Sequence, residues 1–281
     1  MGSFHATKDL IPEAILLLGA LLCAGVAAAR RATSLRTFVM LGGATLVAAA
    51  LSCLVYLKGL PGAGYDAYSG ALVIDRLSLF TLPVLCGFAL LTLLSTDSIA
   101  ERIRPHAGEY CALVLTATLG AALLASARDM IALYVSLELL SVSLYVLVGM
   151  AKTEPRGSEA AFKYLILGAA SSAVLLYGLA ILYGLSGSTS FTDLATALNH
   201  TTGVTALGIA LALAGMAFKL GAVPFHQWVP DVYEGAPSPV AGLIASLSKT
   251  AGFVMVVRFA VTSFPANHTT WTAVIAAVAM A

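Results

Sequence analysis

Residues Gly215–Trp228 read GMAFKLGAVPFHQW. Lys219 stands at the end of an apolar run, and Gly221 and Pro224 come directly after it. Glycine and proline do not sustain regular helix. An ammonium group beside a helix break must be explained by its surroundings.

The surroundings are apolar. Of the 281 residues, 59% are hydrophobic and 10% are charged, and the mean hydropathy is +0.93. Soluble domains carry about 25% charged residues, so this composition cannot cover a water-facing surface and implies an integral membrane protein. The net charge of +1 carries no signature of nucleic acid, and no basic stripe is present. The four cysteines (Cys23, Cys53, Cys86, Cys111) lie in or beside apolar runs without a C-x-x-C pair. They read as small hydrophobes, and nothing suggests iron–sulfur, haem or zinc. The N-x-T sequons at Asn199 and Asn267 read as chance matches.

A membrane span needs about 20 apolar residues. Candidate spans run over about 10–28, 37–57, 73–95, 110–127, 129–150, 159–184, 203–223 and 240–263. A ninth run begins near Thr270 and amounts to half a span, which suggests a piece of something longer. These runs are too long for barrel strands, and within hydrocarbon a helix satisfies its own backbone. The fold class is therefore all-α, a polytopic helical bundle. The first segment lacks a signal-peptide basic region, because Lys8 is offset by Asp9 and the basic residues Arg30, Arg31 and Arg36 follow it. It reads as a retained first span. With the N-terminus outside, the inner loops would hold Arg30, Arg31, Arg36, Arg102, Arg104, Lys152 and Arg156, against Lys8, Lys58, Arg76 and Arg128 outside. The positive-inside bias favours that orientation.

Six charges fall inside the spans or close to their ends: Glu13, Glu138, Lys163, Lys219, Lys249 and Arg258. An ionisable group at mid-bilayer costs roughly 2.5–3.5 kcal/mol on insertion scales. Glu138 shares its helix face with Tyr134, Ser141 and Tyr145, a polar stripe that should face protein or water. Lys249 shares a face with Ala245, Ser246 and Gly252, small residues that let another helix approach. Lys219 neighbours Gly215 and Ala222 and precedes Gly221, Pro224 and Pro230. A broken helix at membrane depth is tolerated where it lines a cavity or is buried in protein, and transporters build ion sites at such breaks. His226, after the break, has a side chain suited to proton exchange near neutral pH. Lys163 lies one turn after Glu159, so an ordinary helix pair competes with a functional role. Glu13 and Arg258, near span ends, read as interfacial.

Two lysines and a glutamate on neighbouring spans suggest proton handling. Burial disfavours an ammonium and a nearby carboxylate favours it. A carboxylate about 7 Å away, at an effective dielectric of about 20, stabilises the charge by roughly 2.4 kcal/mol. A buried lysine beside a movable carboxylate can thus load and unload a proton as a coupled unit. Ser246, Ser248 and Thr250 could support water nearby.

Several stretches resemble a known family. LELLSVSLYVLVGM (Leu137–Met150), SEAAFKYLILGAASSAVLLYGLAILYG (Ser158–Gly184) and FKLGAVPFHQWVPDVYEGAPSPVAGLIASLSKTAGF (Phe218–Phe253) are similar to the antiporter-like membrane subunits of respiratory complex I. LIPEAILLLGALL from Leu10 and VIDRLSLF from Val73 resemble the same family, in particular its subunit N branch. The resemblance implies about fourteen helices with two inverted five-helix repeats. Residues 1–108 would form three N-terminal helices, 109–264 the first repeat and proton half-channel, and 265–281 the start of the second. It implies that Glu138 is the glutamate of the fifth helix, Lys219 the lysine of the broken seventh, Lys249 the lysine of the eighth and His226 the histidine after the break. Together with Lys163 these are the expected proton relay. The family's later-helix basic residue would lie beyond Ala281.

The resemblance further implies a non-redox subunit of a proton-pumping NADH:quinone oxidoreductase in the bacterial cytoplasmic membrane. Its partners would be other membrane-arm subunits and the lipid bilayer. NADH, FMN, iron–sulfur clusters and quinone would bind other subunits, leaving no cofactor on this chain. The alternatives are a subunit of a multi-subunit cation/proton antiporter, or of a related hydrogenase or of a ferredoxin- or deazaflavin-dependent dehydrogenase, and a structural spacer that does not pump.

Overall fold

The computed structural model describes residues 10–29, 34–60, 62, 64–151, 155–199, 202–266 and 268–280. The expectations resting on Lys8, Asp9, Arg30, Arg31, Lys152 and Asn267 lie outside the described residues. The chain forms α1 (Ile11–Ala29), α2 (Leu35–Gly59), a two-stranded hairpin of β1 (Tyr65–Ala67) and β2 (Leu72–Ile74), and α3 (Arg76–Leu94). The short α4 (Ala100–Ile103) leads to α5 (Ala107–Ser126), α6 (Met130–Val148) and α7 (Pro155–Ser186). Then come α8 (Phe191–Ala197), α9 (Gly203–Leu220), α10 (Trp228–Gly235), α11 (Ser238–Leu243), α12 (Lys249–Ser263) and α13 (His268–Met280). A π-helical turn, Ile244–Ser248, joins α11 to α12.

Seven stretches of the described residues are long and apolar enough to cross a membrane. The longest, Arg76–Ser126, consists of α3 and α5 joined by short turns, so the eight spans expected from sequence are all present as helices. The ninth run forms the shorter apolar helix α13. Many large apolar side chains point outward, among them Leu18, Met40, Phe80, Phe162 and Tyr177. That is the inverse of a soluble surface and fits a lipid-facing exterior.

Helix starts follow capping chemistry. Asp75 caps α3, accepting from the Ser78 N–H at 2.8 Å, while the Ser78 hydroxyl accepts from the Asp75 N–H at 3.0 Å. Asp129 caps α6 through the N–H groups of Ile131 and Ala132. These side chains satisfy donors that no helical carbonyl can reach. At the same end of the bundle the loop before α6 is clasped from two sides. Arg128 pairs with Asp66 of the hairpin at 2.6 Å, and Asp129 accepts a hydrogen bond from Thr189, which precedes α8.

Two residues expected at the interface are inside. Arg258 of α12 is 8% exposed. Its two terminal nitrogens donate to both Asp75 oxygens at 2.8 and 3.0 Å, and its Nε donates to the Ala125 carbonyl at the end of α5 at 2.8 Å. The fork of a guanidinium suits this two-oxygen grip, and its charge also complements the C-terminal end of α5. The partner lies far away in sequence, so local spacing could not indicate burial. Glu13 of α1 is 6% exposed, and its Oε2 has no hydrogen-bond partner among the described residues.

Packing at mid-bundle relies on close backbone approach. At Gly178 of α7 an added Cβ would stand 2.5 Å from the Ala212 nitrogen of α9. Only a missing side chain allows the two helices to touch there, the small-residue packing that membrane helices favour.

Candidate functional site

The site is built on the break between α9 and α10. Gly221 adopts a left-handed conformation, φ 66°. Its N–H donates to the Phe218 carbonyl at 2.9 Å, and the Ala222 N–H reaches the Ala217 carbonyl at 3.0 Å. This is a Schellman ending, which closes a helix with glycine in the left-handed position. A helix end leaves four carbonyls without helical partners. Here these are Ala217, Phe218, Lys219 and Leu220, and the Schellman bonds satisfy the first two. The Lys249 ammonium of α12 takes the others, 3.3 Å from the Lys219 carbonyl and 2.7 Å from that of Leu220. A cation at a helix C-terminus is also favoured by the helix dipole.

The Lys219 side chain leaves the same point in the opposite role. It is 3% exposed and donates to the Ser141 hydroxyl of α6 at 3.0 Å. Ser141 lies one turn from Glu138, on the polar stripe of α6. Glu138 accepts a hydrogen bond from Ser172 of α7. The stripe therefore faces α7 and α9 rather than lipid. An ammonium has three donors, and Ser141 engages one of them. The carboxylate and the ammonium are not in direct ion-pair contact: Glu138 is held by the Ser172 hydroxyl and Lys219 by that of Ser141, which itself donates to the Leu137 carbonyl at 2.6 Å.

Aromatic rings line the seam. Tyr164 of α7 stacks on Trp228 with centroids 4.6 Å apart and planes 13° apart, and meets Tyr145 edge-on at 4.6 Å. The Lys219 Nζ lies 5.9 Å from the Tyr164 centroid, and the Lys249 Nζ lies 4.7 Å from that of Trp228. The Tyr164 and Ser248 hydroxyls are buried without a hydrogen-bond partner among the described residues. The π-helical turn ends immediately before Lys249. Such turns insert an extra residue and are frequent at functional sites.

The expected relay residues divide into two groups. Glu138, Lys219 and Lys249 converge. His226 is exposed and makes no side-chain hydrogen bond to a described residue, so it lies on the surface of the break. Lys163 is held outside the seam by two carboxylates, Glu159 at 2.8 Å and Asp231 of α10 at 2.7 Å. The Glu159 pair was visible in the spacing, but the Asp231 pair, which ties α10 to α7, was not. Ser172 and Tyr164 also escaped the sequence reading. Their signal was present as the buried face of α7 formed by Tyr164, Gly168, Ser172 and Leu175, at helical spacing.

The glycine at the break has no substitute. A Cβ on Gly221 would stand 2.6 Å from the Lys249 Nζ, and the left-handed conformation itself costs a non-glycine residue about 1–2 kcal/mol. Gly221→Ala is expected to lower the unfolding free energy of the purified chain by at least that amount, read as a fall in its thermal midpoint. An unchanged midpoint would mean that the helix ends differently.

A polytopic helical bundle with a broken span and a buried set of ionisable groups defines a class of membrane protein that handles charge in its interior. The family model described as "NADH:quinone oxidoreductase/Mrp antiporter, TM" matches residues 127–281. The chain belongs to that family.

It is 39% identical over 286 residues to NAD(P)H-quinone oxidoreductase subunit 2 of Synechococcus sp. (strain JA-3-3Ab), covering 99% of this chain and 53% of that protein. It is 47% identical over 206 residues to the subunit of the same name from Synechococcus sp. (strain CC9902), covering 73% and 39%. The chain thus spans about half the length, or less, of these relatives. Among solved structures it is similar to a chain of respiratory complex I from Thermus thermophilus, with 31% identity and TM-score 0.75, covering 88% of this chain and 53% of that one. A chain of an archaeal membrane-bound sulfane sulfur reductase, 23% identical with TM-score 0.81, covers 96% of this chain and 56% of its own length and shares the fold.

Proposed function

We propose that the chain is part of a membrane subunit of a proton-translocating NAD(P)H:quinone oxidoreductase of the complex I type, and that Glu138, Lys219 and Lys249 carry its proton relay. One observation carries the mechanism: Lys219 is buried against Ser141, beside a carboxylate on the same face of α6. A proton on Lys219 is favoured while the Glu138 charge is near and disfavoured when it moves away. The Ser172 hydroxyl on Glu138 and the Ser141 hydroxyl on Lys219 are the polar groups that would mark the two ends of the transfer path. Moving the charge outward against the membrane potential costs roughly 2.3 kcal/mol per 100 mV. That work would come from quinone reduction elsewhere in the complex, with NAD(P)H, FMN, iron–sulfur clusters and quinone bound by other subunits. Partners would be neighbouring membrane-arm subunits. The exposed His226 precedes α10, the ion-paired Lys163 contacts Asp231 within it, and both would serve proton uptake rather than storage.

Sidedness follows from the loops. Arg36, Arg102, Arg104 and Arg156 lie at one end of the bundle, against Lys58, Arg76 and Arg128 at the other, among the described residues. The positive-inside bias favours a cytoplasmic first end and an outer N-terminus, and the membrane proposed is the bacterial cytoplasmic one.

The name of the family covers antiporters too, so an antiporter subunit is the second reading. Affinity purification of the tagged protein from its native membrane separates them. Co-purifying flavin and iron–sulfur polypeptides with quinone-dependent proton uptake into vesicles are expected. Small membrane polypeptides without flavin, and cation-driven proton movement, would overturn the respiratory reading.

A further inference from the structure

The indole of Trp228 is 1% exposed and is fixed in place by several neighbours. Its Nε1 donates back across the break to the Phe218 carbonyl at 3.0 Å. One face stacks on Tyr164, Phe218 lies 5.3 Å away, and Tyr233 closes the edge at 6.4 Å. Over this immobile ring sits the Lys249 ammonium, which also holds two carbonyls of α9. Gly221 leaves the space that the ammonium occupies.

We propose that the end of α9 and the indole face of Trp228 form a built ammonium site, with Lys249 as its occupant and Trp228 as its positioning residue. The chemistry is specific. The two carbonyls accept N–H donors, the helix end supplies partial negative charge, and the ring quadrupole attracts a cation best when the ring is an indole. Phenylalanine at 228 would keep a π face but lose the Nε1 bond that sets the ring's angle across the break. Leucine would keep neither. Because Trp228 is the first residue of α10, any movement of α10 relative to α9 changes the site that holds Lys249. The inference stands on the geometry of the break, and its bearing on proton movement rests on the proposed relay.

The chain has two tryptophans, so Trp271→Phe leaves Trp228 as the only indole emitter. In the full chain, in lipid nanodiscs, a cation against the ring sets the emission. Lys249→Met is expected to shift the Trp228 emission maximum, and Lys249→Arg to leave it near the parent value. In Lys249→Ala, added methylammonium should restore the parent spectrum, while tetramethylammonium, which has no N–H donor, should not. Identical emission in the parent and Lys249→Met would overturn the proposal. So would equal shifts for Lys249→Met and Lys249→Arg. In the assembled complex, Trp228→Leu should reduce proton translocation about as far as Lys249→Ala does, and Trp228→Phe should recover a substantial part. Translocation lost in Lys249→Ala but unchanged in Trp228→Leu would overturn the positioning role of Trp228, whereas emission that tracks Lys249 with translocation unchanged in Lys249→Ala would support the ammonium site and contradict the proton relay, so the two failures are distinguishable.

Discussion

Lys219→Met is expected to lower proton translocation by roughly 10²-fold or more, the scale of losing a positioned acid–base group, while the complex still assembles. The substitution keeps a flexible side chain of similar length and removes a buried charge. Lys219 makes no direct ion pair, Glu138 keeps its hydrogen bond from Ser172, and the backbone carbonyls of the break remain satisfied by Lys249, so the fold is expected to survive. What disappears is the group proposed to take up and release the proton beside Ser141. Proton uptake into vesicles, normalised to the amount of assembled complex, measures the effect. Undiminished uptake with full assembly would favour the structural spacer.

Asp75→Ala is expected to be the most destabilising single change, at about 3–5 kcal/mol, because it leaves the Arg258 guanidinium buried and unpaired. It also removes the cap of α3, worth about 1 kcal/mol. Asp75→Ala combined with Arg258→Met should recover most of the loss. Thermal or denaturant unfolding of the purified chain checks both. The pair also has a pH signature. Burial pushes the Asp75 carboxyl up, but the hydrogen bond from Arg258, those from Ser78 and the Arg258 charge outweigh it, so the folded value lies below the ordinary 3.8. A lowered folded value means that the unfolded state binds protons more readily. The contribution is therefore fully present above the ordinary value and is lost as pH falls through the folded one. The stability gap between the parent and Asp75→Asn should stay constant from neutral pH to mild acid and close only in stronger acid.

Much of the fold was legible because hydrocarbon imposes a simple rule. Each span needs enough apolar residues to cross and satisfies its own backbone, so hydropathy alone located the spans, though not the short helices α4, α8 and α10. The break was legible from Gly221 and Pro224. The convergence of Glu138, Lys219 and Lys249 was legible because a mid-span charge has to face protein, and small neighbours mark the facing side. The rest depended on distant pairing. The Asp75–Arg258 fork joins the cap of α3 to the body of α12, and the Lys163–Asp231 bridge crosses from the span α7 to the short α10. Neither has a local periodic signal. Trp228 was in view in the opening stretch, yet its role depends on three other helices meeting around one ring. Glu13 read as interfacial because it sits in a first turn, but the helices packed around it bury that turn.

In the proposed relay Glu138 and Lys219 act as one electrostatic unit where α6, α7 and α9 meet. A double-mutant cycle of Glu138→Gln and Lys219→Met, read as proton translocation per assembled complex, measures their coupling. Each single variant is expected to lose most of the translocation, and the double variant to be little worse than either. Losses that simply multiply would contradict that coupling, because the two groups would then act independently.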